Sequence, residues 1–199
     1  MGCGAMQLAG PQVWGPPRDL NAAIAVLREA SVCWSQRIDT SDYYGPHVTN
    51  EIIKQALHPF EKGLVMVTKV GARQLEDKSW VQALSRQELI DALHDNLRNL
   101  GLDVLDLVNL RGGGVMEPSE GSIQEPLTVL AELQRQGLIC HIAAVGRARP
   151  SGGNDWRDSN AVSARVAASA CAQHPANPRH VIGQTSSRES RCCNTSSFS

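Results

Sequence analysis

No stretch of this 199-residue chain stays apolar over the roughly 20 residues that a membrane-spanning helix needs, which excludes a helical membrane protein. Neither sign of charge is in excess: the net charge of −1 speaks against a dedicated nucleic-acid binder. The N-terminus lacks a basic-then-apolar leader pattern, so a soluble cytoplasmic protein is expected. Its six cysteines (Cys3, Cys33, Cys140, Cys171, Cys192 and Cys193) show no C-x-x-C spacing and read as scattered reduced thiols. The six histidines fall at no ligand spacing with one another or with cysteine, so no metal is expected. Gly112-Gly113-Gly114 is not followed by Lys-Ser or Lys-Thr and is no phosphate loop.

Residues 143–199 lack leucine and lysine altogether. They hold ten serines, and seven arginines against three acidic residues give a local charge of +4. Without leucine, little apolar area offsets an ordering cost of about 1–2 kcal/mol per residue. An irregular tail, the first part cleaved by a protease, is expected there. Its dispersed arginines lack the interleaved aromatics of a nucleic-acid surface. Residues 1–142 are different: leucine-rich and acidic, with sustained periodicity. With 42% hydrophobic and 20% charged residues, the whole chain has material for a packed core.

The first part alternates. Gly2 to Leu8 reads as a short strand and loop. Asp19 caps a helix with Ala22, Ala23, Val26, Leu27 and Ala30 on one face. Ile38 marks a short strand before the polar cluster Asp39-Thr40-Ser41-Asp42-Tyr43-Tyr44-Gly45. Val48 to Leu57 is a helix ended by His58-Pro59. Leu64 to Val70 is a buried strand. Ser85-Arg86-Gln87-Glu88 is a capping box opening a helix with Leu89, Leu93, Leu97 and Leu100 on one face, and Gly101 lies just past its end. Val104 to Leu110 is a strand, Leu127, Leu130 and Leu133 mark a helix closed by Gly137, and Leu138 to Ile142 is a fifth strand. Strand-helix alternation implies a parallel sheet with right-handed crossovers. A complete (β/α)8 barrel takes about 250 residues. The expectation is therefore an α/β fold: a partial (β/α)8 TIM barrel of about five parallel strands over residues 1–142, with an irregular tail over 143–199.

Asp39, Tyr44, Lys69 and Arg111 each stand at or just after the C-terminal end of a predicted strand. In parallel α/β proteins that rim is where sites are built. Ile38 to Gly45 resembles the aldo-keto reductase signature, in which an Asp is followed five residues later by a catalytic Tyr. Val67-Thr68-Lys69 is similar to the strand carrying that family's catalytic Lys, and Asn96 to Leu107 resembles the helix and strand leading to its fourth catalytic position. Gly4-Ala5-Met6 is similar to the first-strand turn beside the nicotinamide. The resemblance implies hydride transfer from NADPH to a small aldehyde or ketone, with Tyr44 as proton donor. Free tyrosine ionises near pH 10, and a neighbouring ammonium favours the phenolate, which is the role implied for Lys69. Asp39 would hold Lys69 by a charge-assisted hydrogen bond. Gly4, Ala5, Met6 and Asp39 are the implied cofactor contacts.

The chain also departs from that pattern. Arg111 stands where the family commonly has His; Arg too can polarise a carbonyl and is always cationic. After Ile142 no Ser-Asn pair appears to take the nicotinamide carboxamide, and the later strands and 2′-phosphate loop have no counterpart. Cys33-Trp34-Ser35-Gln36-Arg37 replaces the usual Leu-Gly turn; if Trp34-Ser35-Gln36 is encoded UGG-AGY-CAR, reading one base later spells Gly-Val-Asn or Gly-Ala-Asn. A compensated reading-frame slip there, and an uncompensated one after Ile142, follow from that reading. The alternative to a working reductase is thus an impaired or inactive fragment of one, self-associating through open sheet edges.

Overall fold

Local sequence signals start and stop the helices. In a computed structural model, which describes residues 2–33, 36–112 and 123–145, α1 runs Leu20–Cys33, α2 Val48–Leu57, α3 Arg86–Leu100 and α4 Gln124–Arg135. The Asp19 carboxylate accepts from the Ala22 N–H at 2.9 Å and opens α1. The Ser85–Glu88 capping box forms as expected, and Gly101 closes α3 in the left-handed region at φ 69°. Leu89, Leu93, Leu97 and Leu100 are all buried along the inward face of α3. Each such leucine contributes about 1.5–3 kcal/mol relative to exposure.

One helix face differs from the sequence reading. In α1 the buried stripe is Ala23, Ile24 and Leu27, while Val26 is 55% exposed. Alanine and valine lie on both flanks of this helix, and the position of the sheet decides which flank is covered.

Five strands form one sheet: β1 (Gly2–Gly4), β2 (Arg37–Asp39), β3 (Val65–Val70), β6 (Leu105–Arg111) and β7 (Ile139–Val145). Their spatial order is β1-β2-β3-β6-β7, every pair parallel, which is the expected arc of a (β/α)8 barrel. Residues opposite one another in a parallel ladder share a face. Ile38, Met66, Val70, Val108 and Leu110 point to the helices and are at most 1% exposed. Val65, Lys69, Leu107, Asn109 and Arg111 are half-buried on the other, inner face. β7 ends at Val145, three residues beyond the expected boundary. The expected irregular tail lies otherwise outside the described residues, as do the Trp34-Ser35 anomaly and Gly113-Gly114.

A small antiparallel hairpin, β4 (Ala72–Gln74) and β5 (Trp80–Gln82), has no counterpart in the sequence reading. It leaves β3 at Gly71, whose φ is 95°. A Cβ there would lie 2.6 Å from the Arg111 carbonyl oxygen, so only glycine lets the chain turn this close to the end of β6. The Gln74 side chain donates to the Gln12 carbonyl at 3.0 Å and ties the hairpin to the loop after β1. No helix among the described residues is long and apolar enough to cross a membrane. Cys3 is a free thiol.

Candidate active site

The C-terminal ends of β2 and β3 bring two of the singled-out side chains into direct contact. Lys69 Nζ donates to the Asp39 carboxylate at 2.8 Å and to the Thr40 carbonyl at 3.1 Å. The Lys69 side chain is 18% exposed and that of Asp39 41%. Lys69 Nζ also stands 5.2 Å from the centroid of the Tyr44 ring. Tyr44 itself is buried at 5% exposure.

The turn that presents Tyr44 is held from several sides. Tyr44 N–H donates to the Ser41 carbonyl at 3.0 Å, and its own carbonyl accepts from Thr49 N–H at 3.1 Å. Gly45 follows at φ 84°, where a Cβ would lie 3.0 Å from the Gly15 carbonyl. The two adjacent tyrosines point to different surroundings. Tyr43 faces His47, with ring centroids 6.1 Å apart. Burial, and then the charge of Asp42, push its ionisation above the usual tyrosine range. Tyr43 is thereby held as a neutral phenol, and it is Tyr44 that meets the ammonium.

Beneath this turn lies a polar network that the sequence reading missed. Thr40, Asp42, Asn50, Thr68 and Asn96 are all fully buried. Asn96 on α3 accepts from Thr68 Oγ1 at 2.5 Å and from Asn50 Nδ2 at 3.0 Å, and donates to the Ala92 carbonyl at 2.7 Å. Thr40 donates to Asn50 Oδ1 at 2.8 Å. Asp42 Oδ1 accepts from Asn50 at 3.1 Å and Asn99 at 2.7 Å. The network thus links the residue before Lys69 to the loop between Asp39 and Tyr44. His47 Nδ1 donates to Asp42 Oδ2 at 2.5 Å, and this bond raises the His47 pKa above its ordinary value. Asp42, His47 and Asp95 bring potential metal-ligand atoms within 4.8 Å of one another. Both oxygens of Asp42 accept hydrogen bonds.

Arg111 joins the site from the end of β6. Lys69 pairs with Asn109, and Arg111 lies two residues further along the same face. Its guanidinium stands over the Trp80 ring at 5.9 Å, and Trp80 meets Tyr44 edge-on at 6.5 Å. Trp80 was not among the sequence candidates; the hairpin delivers it. Asp39, Lys69, Tyr44, Trp80 and Arg111 therefore form one connected set. Of the candidate cofactor contacts, Gly4 is exposed and pairs in register with Asp39, and Met6 is 43% exposed. Ala5 is fully buried in the core, so its side chain faces away from that opening.

A partial parallel barrel with an Asp–Lys–Tyr set at its C-terminal rim defines the class of protein. The description of the aldo/keto reductase family matches residues 1–148, and the chain belongs to that family. Pyridoxine 4-dehydrogenase of Escherichia coli (strain K12) is 62% identical over 144 residues, covering 71% of this chain and 50% of that protein. NADH-specific methylglyoxal reductase of the same organism is 28% identical over 154 residues, covering 72% of this chain and 47% of its own length. Among solved structures, the holo form of an aldo-keto reductase from Bacillus halodurans is similar with a TM-score of 0.59 at 26% identity. That match covers 73% of this chain and 45% of the other. The chain thus spans about half the length of these relatives.

Proposed function

We propose that this chain carries the proton-donating half of an aldo-keto reductase site and acts on an aromatic aldehyde–alcohol pair of the pyridoxine type. The observation that carries the reading is the Lys69 ammonium, held by Asp39 at 2.8 Å and facing Tyr44. The 62% identity to pyridoxine 4-dehydrogenase supports the substrate class.

The rim fits a flat cofactor ring on one side. A Cβ at Gly4 would meet nothing within 4 Å, and the neighbouring Asp39 and Met6 are partly exposed. Gly4, the backbone of Ala5, Met6 and Asp39 are the residues that would hold the nicotinamide of NADPH. When bound, that group supplies the hydride. Tyr44 gives its phenolic proton to the carbonyl oxygen as negative charge develops there. Lys69 brings its ammonium to the Tyr44 ring, and Asp39 keeps that ammonium aimed. Arg111 polarises the same oxygen from the end of β6. A reaction that draws on the cell's NADPH pool places this reading in the cytoplasm.

NADPH consumption with pyridoxal tests it. Tyr44→Phe keeps the ring packing and removes the donor, and is expected to cut the rate about a hundredfold or more. Lys69→Met should do likewise. Activity that survives both changes would show that these residues lack the assigned roles. A second reading, a site-bearing but inactive half barrel, is favoured by the sheet itself. Among the described residues β1 pairs only with β2, and β7 only with β6. In that reading no NADPH is consumed with any aldehyde.

A further inference from the structure

Two cations face the inside of the arc, and they are not alike. Lys69 is neutralised by Asp39 at 2.8 Å. Arg111 has no carboxylate partner among the described residues; its contact there is the face of Trp80. A half-buried guanidinium lying on an indole presents its remaining N–H donors as a flat fork. A neutral carbonyl alone needs no second cation. A guanidinium with no acid beside it among the described residues can pair with an anion, and the indole wall suits an aromatic ring.

We infer that Arg111 and Trp80 form a specificity subsite for aromatic carbonyl compounds that carry an ionisable hydroxyl on the ring carbon next to the carbonyl-bearing one. In such a molecule the carbonyl oxygen and the phenolate oxygen lie side by side. Only this placement presents both to one guanidinium, which can then bond them in bidentate fashion. The ring would lie against Trp80, whose position is fixed by the Gly71 turn and the Gln74–Gln12 tie. Pyridoxal is one member of this class. The inference rests on the functional reading above for where the carbonyl sits, and it adds the group that selects the substrate.

Binding and turnover separate the two claims. Salicylamide carries the paired oxygens and does not react with lysines; 2-methoxybenzamide has the same shape without the ionisable hydroxyl. Equilibrium dialysis of the full chain, with and without NADP, should show salicylamide bound at least about tenfold more tightly. Arg111→Gln should bring that ratio close to one, while Arg111→Lys, a charge without a fork, should keep only part of it. Circular dichroism identifies a variant that has not folded, and the two-ligand comparison on the unsubstituted chain stands without any variant. Equal binding of the two amides, no binding of either, or a preference that persists in a folded Arg111→Gln protein overturns the subsite. NADPH consumption with 2-hydroxybenzaldehyde and 2-methoxybenzaldehyde is measured in parallel. Selective binding without turnover of either leaves the subsite standing and sinks the reductase reading. Turnover of both at equal kcat/KM, with equal binding, does the reverse.

Discussion

Replacing Asn96 by Ala should be among the most damaging single changes in the chain. Its Oδ1 accepts from Thr68 and Asn50, both fully buried, and its Nδ2 donates to the Ala92 carbonyl. Alanine leaves the Thr68 hydroxyl and one Asn50 N–H without that acceptor, where water has no access. Each orphaned buried donor costs about 1–3 kcal/mol. Asn50 retains its bond to Asp42, so its share falls at the low end. The Ala92 carbonyl keeps its helical partner and adds little. The sum is about 2–4 kcal/mol, a large share of the roughly 5–15 kcal/mol that holds a typical domain together. Urea unfolding followed by circular dichroism reads it as a lower midpoint at unchanged slope. Asn99→Ala, which removes one donor to Asp42 from a half-buried position, should cost about 1 kcal/mol. A loss below about 1 kcal/mol for Asn96→Ala, or one no greater than for Asn99→Ala, would refute the reasoning that the buried network ties α3 to the sheet.

Three further outcomes are expected. The hydrogen bond to Asp42 raises the His47 pKa, so its stabilising contribution is full below the ordinary imidazole value of about 6.5 and is lost as pH rises through the raised one. Thermal unfolding from pH 5 to pH 9 should show this loss, and His47→Gln should flatten it; an unchanged profile in the variant counts against the bond. Gly71→Ala places a Cβ 2.6 Å from the Arg111 carbonyl at φ 95° and should destabilise by about 2 kcal/mol or more, with the hairpin displaced; a variant as stable as the parent would show that the turn tolerates a side chain. Among the described residues β1 and β7 each pair on one side only, and association of the isolated chain through these edges is expected as mass rising with concentration in sedimentation; a concentration-independent monomer would contradict it.

Helix information is local, and α3 shows it: the Ser85 box, the leucine spacing and Gly101 all lie within one element, and all could be read in advance. The parallel order followed from the alternation. The β4–β5 hairpin escaped because its turn carries Lys78 at φ 68° in place of glycine or asparagine, with Asp77 accepting from Ser79 N–H at 2.9 Å. Three-residue strands around such a turn leave no periodic trace. Trp80 was missed with it. The mutual bonding of Asn50, Thr68 and Asn96 leaves no local mark because their partners are far away in sequence; only the packed helices reveal that they are buried and satisfied together. The exposed Val26 makes the same point in reverse, since which flank of α1 is covered is decided by the sheet.

The five side chains of the rim set all lie on one unbroken run of chain, from Asp39 at the end of β2 to Arg111 at the end of β6. Among the described residues, none after β6 belongs to that set. During synthesis all five are made before α4 and β7 exist. Their mutual contacts join neighbouring strands and the hairpin between them, and none of them waits for chain beyond Arg111. Order of manufacture and order of assembly can therefore coincide: the chemical end of the sheet takes shape first, and whatever follows is added to a rim whose polar supports are already in place.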